Sequence, residues 1–132
     1  MTIRVLLVDD SSVVRGLLTR SLEQNPDIQV IAQAADGRIA IAMAKQHRPD
    51  IIILDVEMPN MDGLTAIPLL LEVDPGVRIL MASKLTRQSA SISLQALELG
   101  AADYIAKPEV GGLDAFYREL HAKVRALGQK RS

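Results

Sequence analysis

Five polar side chains of this 132-residue sequence stand directly after short apolar runs, and together they could carry out one kind of chemistry. Clustered carboxylates repel one another unless a cation lies among them, and a water-open site of oxygen ligands suits Mg²⁺. A lysine binds anions and a hydroxyl donates a hydrogen bond, so the whole set is typical of a phosphoryl-transfer site. In chain order, the five residues are Asp9, Asp10, Asp55, Ser83 and Lys107.

Asp55 is the central candidate of the set. It ends the most apolar run, Ile51–Leu54, so we expect its position to be rigid and its surroundings dry. A carboxylate in such a place could act as a nucleophile and form an acyl phosphate. A single aspartate after a strand is often only a helix cap or a turn residue. The joint occurrence of five polar residues at four strand ends is what favours a functional site.

The apolar runs that precede these residues predict strands. Continuous apolar stretches of about four to six residues are typical of strands that are buried on both faces of a parallel sheet. The segment Ile28–Gln33 alternates between apolar and polar residues instead, which predicts an edge strand with one wetter face. The four runs are Val5–Val8, Ile51–Leu54, Val77–Ala82 and Asp103–Ala106.

Helical patterns lie between the predicted strands, so that the order strand–helix occurs five times. The last helix carries a clear apolar stripe of Leu113, Phe116, Leu120, Val124 and Leu127. We therefore predict an α/β fold of the flavodoxin-like type: a doubly wound five-stranded parallel sheet of order 2-1-3-4-5 in a three-layer α/β/α sandwich. Because ligands of such sheets bind beyond the carboxyl ends of the strands, the five polar side chains are expected to share one cleft.

Turn and cap signals mark several helix ends. Ser11 or Ser12 is expected to cap the first helix. The turn signals Asp36-Gly37 and Asp62-Gly63 precede the second and third helical patterns. Gly100 stands where the end of the fourth helix would require a left-handed residue.

Composition excludes several classes of partner and site. Lysine and arginine number 15 and aspartate and glutamate 16, so the net charge of −1 gives no reason to expect a nucleic-acid or membrane-surface partner. The absence of cysteine excludes disulfides and thiolate zinc sites, and it suits a reducing compartment. No apolar run approaches the roughly 18–20 residues of a membrane span. We therefore expect a cytoplasmic domain.

The motifs around the five polar residues resemble those of the response regulator receiver domain. The resemblance rests on the acid pair Asp9-Asp10, the segment Leu54–Gly63, Ser83, and Lys107-Pro108, and their spacing and order agree throughout. It extends from residue 4 to about residue 127, which is nearly the whole sequence.

Two segments show a finer resemblance, to the receiver of the chemotaxis methylesterase (the protein-glutamate methylesterase/glutamine deamidase). They are Asp55–Leu64 and Ala96–Tyr104. In that family an esterase domain follows the receiver, whereas this sequence contains no Gly-x-Ser-x-Gly nucleophile elbow. We therefore expect a receiver domain over residues 1–127 and a linker or truncation tail over residues 128–132, as the regulatory part of a longer parent.

The resemblance implies a phosphoacceptor and a Mg²⁺ site. Asp55 would take a phosphoryl group from a histidine kinase. Asp10 and Asp55 would bind Mg²⁺ directly, together with the backbone carbonyl of Glu57, and Asp9 would act through a metal-bound water.

The resemblance also implies a switch that follows phosphorylation. Lys107 would pair with a phosphoryl oxygen, and the peptide bond before Pro108 would be cis. Ser83 would hydrogen-bond the phosphoryl group, and Tyr104 would turn from an exposed to a buried rotamer. The face formed by the fourth helix, fifth strand and fifth helix would then change for a partner.

Two charged residues at the mouth of the predicted cleft, Lys84 and Glu57, could modulate the chemistry. Lys84 follows Ser83, where a small residue is common in the family, and Glu57 lies two residues beyond the nucleophile. Our hypothesis is that Glu57 pairs with Lys84, or with Arg87, across the cleft and sets the lifetime of the phosphorylated state. The alternative is two solvated charges that never meet, since exposed pairs contribute only about 0–1 kcal/mol.

Three other functions stay open. The chain could be the receiver of a DNA-binding response regulator, cut before its output domain. It could be a stand-alone Mg²⁺-dependent aspartyl phosphohydrolase, although Asp55-Val56-Glu57 lacks the usual Asp-x-Asp pattern. It could also be a receiver that binds partners without phosphorylation, although all the acidic, serine and lysine positions are present.

The leading interpretation names two partners, a histidine kinase and the effector domain of the parent, and it expects no nucleic acid and no membrane to bind this domain. The chain itself would catalyse only its own phosphorylation and dephosphorylation. Any methylesterase activity would belong to the parent.

Overall fold

Five strands and five helices alternate along the chain in the computed structural model, which describes residues 2–84, 89–108 and 111–129. The strands form one parallel sheet in the order β2-β1-β3-β4-β5, which confirms the predicted fold class and strand order. The elements are β1 (Ile3–Val8), α1 (Ser12–Leu22), β2 (Ile28–Ala34), α2 (Gly37–His47), β3 (Ile51–Asp55), α3 (Gly63–Val73), β4 (Arg78–Ser83), α4 (Ser89–Leu99), β5 (Asp103–Ala106) and α5 (Leu113–Gly128).

The central strands are apolar because helices cover both faces of the sheet. Successive side chains of a strand point to opposite faces, so β3 contributes to two separate apolar clusters. Ile52 and Leu54 pack with α2, α3 and α4, whereas Ile51 and Ile53 pack with α1 and α5. β2 lies at the edge of the sheet, which confirms the predicted edge strand, but only its two end residues are buried, so its burial does not alternate as its sequence does.

Three of the helices begin with a side-chain N-cap. Ser11, rather than Ser12, caps α1 and accepts a hydrogen bond from the Val14 N–H. Asp36 caps α2 and Asp62 caps α3 in the same way, through N–H groups of their first turns. Gly100 adopts a φ of 115°, which confirms the left-handed residue expected after α4.

The structure differs from the sequence-based expectations at both ends of α5. Leu113 opens the predicted apolar stripe, but half of its surface is exposed and it does not join the apolar cluster to which the other four residues of the stripe belong. The sequence predicts a polar tail from Gly128 onwards, yet Gly128 is the last residue of α5, is buried, and packs against Ile3. Within the described ranges, no helix combines the length and apolar character that crossing a bilayer requires.

Substitution by alanine should have opposite effects on stability at two glycines that lie in helices. A Cβ on Gly16, inside α1, would meet nothing within 4 Å, so Gly16→Ala should raise the free energy of unfolding by about 0.5–1 kcal/mol. A Cβ on Gly63 would lie 2.4 Å from the backbone oxygen of Asp55, so Gly63→Ala forces the backbone to move and should lower stability by about 1–3 kcal/mol.

Urea unfolding followed by circular dichroism measures both effects, and each variant serves as the control for the other. If Gly63→Ala has the same free energy of unfolding as the wild type, the close approach of α3 to the end of β3 is contradicted.

Candidate functional site

Three aspartates meet at the carboxyl ends of β1 and β3, which are neighbours in the sheet. Asp9 and Asp10 follow β1, and Asp55 is the last residue of β3. Each offers a carboxylate oxygen, and these three oxygens lie within 4.8 Å of one another. Asp9 and Asp55 are buried, whereas Asp10 is exposed. The structure thus brings together the three carboxylates that the sequence nominates.

Lys107 lies among these carboxylates, although it comes from the far edge of the sheet. Its Nζ is 2.8 Å from Asp55 Oδ1 and 3.3 Å from Asp9 Oδ2. The backbone N–H of Lys107 donates to the carbonyl of Ser83 at 2.8 Å, so the ends of β4 and β5 remain joined at the site. The ammonium group therefore balances part of the negative charge of the cluster.

Burial and neighbouring charge have opposite effects on the pKa values of Asp55 and Lys107. Burial raises the pKa of Asp55, although the hydrogen bond and charge of Lys107 favour its ionised form. Burial also disfavours the charge of Lys107, but the hydrogen bonds and charges of Asp55 and Asp9 outweigh it, so the pKa of Lys107 is raised. The site therefore favours the cationic form of Lys107, and it compensates the charge of an ionised Asp55 only in part.

Backbone and arginine contacts fix Asp9. Its Oδ1 accepts a hydrogen bond from the Ser11 N–H at 2.9 Å, while its backbone carbonyl accepts one from Arg15 Nη1 at 2.6 Å. The sequence reasoning missed Arg15. Its place in the first turn of the helix that starts beside the acid pair, five residues after Asp10, was the available signal.

A cavity of about 430 Å³ runs from the charged cluster towards α1 and α5. Asp9, Asp55, Lys84 and Lys107 are its charged lining residues, and most of its other walls are apolar side chains. Asp55 is itself buried beside this mostly apolar cavity, and burial, which disfavours the ionised form, is the cause that raises its pKa.

The loop between β3 and α3 brings Glu57 to the mouth of the cleft. The Glu57 N–H donates to Asp55 Oδ1 at 3.3 Å. Glu57 Oε2 lies 4.0 Å from Lys84 Nζ, and both side chains are more than half exposed. Such an exposed pair contributes about 0–1 kcal/mol. Arg87, the other residue considered as the partner of Glu57, lies outside the described residues.

The two residues nominated for the switch lie on β4 and β5. Ser83 ends β4 and is buried, one residue beyond Ala82, which pairs with Asp55 across the sheet. Tyr104 on β5 is 43% exposed, and Lys123 Nζ lies 5.3 Å from the centre of its ring. The peptide bond between Lys107 and Pro108 is trans, so the cis bond implied by the resemblance is wrong for this structure.

The donor set fits a hard divalent cation. When ionised, three carboxylates against one ammonium leave two negative charges within a few ångströms. All the donors are oxygens, one of the three aspartates is exposed to water, and neither histidine belongs to the group. These properties match the preference of Mg²⁺ for carboxylates and retained waters.

A family model described as the response regulator receiver domain matches residues 5–115. The protein-glutamate methylesterase/protein-glutamine glutaminase of Azospirillum brasilense is 56% identical to the chain over 130 residues, which cover 96% of this chain and 33% of that protein. The chain spans about a third of the length of the curated relatives it matches.

Solved structures agree with this similarity. The response regulator domain of Thermotoga maritima CheB matches with a TM-score of 0.89 and 37% identity, over 98% of both chains. A chain from the CheX–CheY–BeF₃–Mg²⁺ complex of Borrelia burgdorferi matches with a TM-score of 0.82 and 31% identity, over 95% of this chain and 88% of that one.

The raised pKa of Asp55 predicts how stability depends on pH in the absence of divalent cations. Because the folded chain holds the Asp55 proton more tightly, stability contributed by this group is present below its ordinary pKa of 3.8 and is lost as the pH rises through the folded value. Asp55→Asn carries no charge there, so its free energy of unfolding relative to wild type should increase between pH 4 and pH 7.

Urea unfolding at a series of pH values, in the presence of a chelator, measures this difference. Adding Mg²⁺ at pH 7 should shrink it, because the cation stabilises only the ionised wild-type site. A difference that stays constant with pH would contradict the uncompensated burial of Asp55.

Proposed function

The chain belongs to the response regulator receiver domain family, and from this we propose that it accepts a phosphoryl group from a histidine kinase on Asp55, with Mg²⁺ bound beside it. Within the family it is homologous to the receiver domain of CheB. One observation carries the proposal: a buried carboxylate at a strand end has two further carboxylates within 4.8 Å and an ammonium group at 2.8 Å. That is the environment a phosphoryl acceptor needs.

The residues that would hold Mg²⁺ are the side chains of Asp10 and Asp55 and the backbone carbonyl of Glu57, with Asp9 acting through a water. Mg²⁺, when bound, supplies positive charge that offsets the carboxylates and the incoming phosphoryl oxygens. The B. burgdorferi complex, which includes Mg²⁺, supports this assignment because its matching chain shares the fold at 31% identity.

Asp55 would act as the nucleophile of the transfer. One of its carboxylate oxygens forms a bond to the phosphorus of the phosphohistidine while the phosphorus–nitrogen bond breaks, and the electron pair of that bond returns to the imidazole of the kinase. Lys107 lies 2.8 Å from Asp55 Oδ1, within reach of a phosphoryl oxygen attached there. Ser83 would donate a hydrogen bond to another phosphoryl oxygen.

The switch would start from the same contacts. A phosphoryl group adds charge and strong acceptors at Asp55, which attract the Ser83 hydroxyl and the Lys107 ammonium. Tyr104 lies on β5 three residues before Lys107, and its half-exposed ring would then turn inward. The α4–β5–α5 face would change in shape and become the signal that a partner reads.

We further propose that the parent of this domain is a chemotaxis methylesterase whose esterase domain follows the receiver. The support is the similarity to relatives of that name, of which this chain covers about a third. In the gene, the codons beyond Ser132 distinguish this parent from a DNA-binding response regulator. The domain would work in the cytoplasm, a reducing compartment that its lack of cysteine suits.

Acetyl phosphate provides the direct test of the phosphoacceptor. Wild-type protein incubated with acetyl phosphate and Mg²⁺ should gain about 80 Da by intact mass spectrometry, the mass of one phosphoryl group. Asp55→Asn should gain nothing, because an amide cannot form the acyl phosphate. Chelation of Mg²⁺ should abolish the gain in the wild type.

Asp62→Asn is the matched control, since it changes an aspartate of the same loop but retains a residue that caps α3. It should keep the mass shift. An undiminished shift in Asp55→Asn, or none in the wild type, would overturn the proposed function.

The contact of Glu57 with Lys84 predicts an effect on the lifetime of the phosphorylated state. The pair stands at the mouth of the cleft, 4.0 Å apart, where it can obstruct the route of an attacking water. Glu57→Ala and Lys84→Ala should each shorten the dephosphorylation half-life by more than about twofold. A twofold change corresponds to about 0.4 kcal/mol, which lies within the range of about 0–1 kcal/mol that an exposed pair contributes.

The loss of phosphate from purified phosphorylated protein, followed by intact mass over time, measures this half-life. Half-lives within twofold of wild type in both variants would mean that the two charges do not control access of water.

A further inference from the structure

The loop between β3 and α3 is fixed at both of its ends beside the site. At its start, the Val56 N–H continues the ladder to Ala82 at 3.1 Å. At its end, the Gly63 N–H donates to the carbonyl of Val56 at 2.9 Å, which closes the loop onto itself. Between these points lies Glu57, whose carbonyl is a proposed metal ligand. The path of the intervening residues decides where that carbonyl stands.

The middle of the loop is held by a residue from a different part of the chain. Asn60 Nδ2 donates to Asp36 Oδ2 at 3.1 Å, although the two residues are 24 positions apart. The other oxygen of Asp36 accepts the Ile39 N–H at 2.9 Å, which is the N-cap of α2. Asp36 therefore uses one oxygen for its own helix and the other for the loop that borders the site.

Two neighbouring contacts make this hydrogen bond the centre of a small interface. The Gly37 N–H donates to the carbonyl of Met61 at 3.3 Å, and a Cβ on Gly37 would lie 2.8 Å from the Met61 side chain. Asn60 itself has a φ of 68°, which only a minority of non-glycine residues adopt. Asparagine adopts this left-handed conformation more readily than most residues, and the contacts with Asp36 and Gly37 hold the loop in this path.

The charge of Asp36 strengthens this contact. Hydrogen bonds from the Ile39 N–H and the Asn60 amide hold the pKa of Asp36 below its usual value. Asp36 is 9% exposed as a residue. Its carboxylate accepts both hydrogen bonds, and when it is ionised such charge-assisted bonds are about twice as strong as neutral ones.

We propose that the Asp36–Asn60 hydrogen bond positions the β3–α3 loop for metal binding, which makes Asp36 and Asn60 positioning residues of the phosphoryl-acceptor site. Neither residue is one of the three clustered carboxylates; they act through the loop that carries the Glu57 carbonyl. The inference rests on the proposed function, because it assigns these residues a role in binding Mg²⁺. Outer contacts of this kind typically change metal affinity by about tenfold or more when they are removed.

Asn60→Gly is the informative variant, because it removes the hydrogen bond while glycine suits a φ of 68°. Its stability should therefore stay close to that of the wild type. Asp36→Ser removes the same bond from the other side and retains a good N-cap for α2. Asp62→Ser removes a charge from the same loop, keeps the cap of α3, and leaves the bond intact, so it is the matched control.

Titration of each protein with Mg²⁺, followed by the amide resonances of the site in NMR spectra, measures the dissociation constant. Asn60→Gly and Asp36→Ser should each raise it roughly tenfold, and Asp62→Ser should leave it within about twofold of wild type. In the Asp36→Ser background, Asn60→Gly should have no further effect, since the bond is already absent. In metal-free protein, both variants should speed hydrogen exchange of the Gly37 amide.

Failure of this inference differs from failure of the proposed function. If the wild type binds no Mg²⁺ at the aspartate cluster, the proposed function and the positioning role both fall. If the wild type binds Mg²⁺ but Asn60→Gly binds it equally well, only the positioning role is overturned. If Asp62→Ser raises the dissociation constant for Mg²⁺ as much as Asp36→Ser does, the effect comes from the lost charge and not from the hydrogen bond. That result would also overturn the positioning role.

Discussion

The attraction between the Lys107 ammonium and the carboxylates of Asp9 and Asp55 is the interaction on which the organisation of this site depends. Buried like charges repel strongly where water cannot screen them, so the carboxylates could not stay this close without a cation. Lys107 compensates only part of their charge, and burial still raises the pKa of Asp55. The metal-free site is therefore stable enough to form and retains a deficit of positive charge, which is the condition for binding a divalent cation.

The sheet decides which side chain can make this contact. β5 is separated from β3 by β4, and neighbouring strands lie about 4.8 Å apart, so a residue at the end of β5 must reach across roughly 10 Å. Lysine has the necessary length. The position opposite Asp55 on β4 is Ala82, whose small side chain leaves room for the lysine to cross. The strand order and this one small residue are thus as much a part of the site as the charged groups themselves.

The groups at strand ends could be predicted from the sequence, and the contacts between loops could not. Asp55 and Lys107 follow apolar runs, and a parallel sheet brings the ends of such runs to one edge whatever the loops do. The contact of Asn60 with Asp36 depends on a left-handed backbone and on two loops 24 residues apart, and neither leaves a periodic pattern. Asparagine in a tight acidic loop was the one available sign, because it tolerates a positive φ better than most residues.

The two edges of the cluster differ in how they are tied to the rest of the fold, and this gives the proposed switch a direction. On one side, the loop after β3 is fixed by hydrogen bonds to its own backbone and to Asp36. On the other side, the backbone of Tyr104 is held by β5 and by a hydrogen bond from Lys123 Nζ to its carbonyl, but its ring is 43% exposed. In the proposed switch, a new charge at Asp55 would therefore move the half-exposed ring of Tyr104 more readily than the hydrogen-bonded loop after β3. We propose that the β3–α3 loop would stay in place in this switch, and that β4 and β5 would carry the change to the α4–β5–α5 face.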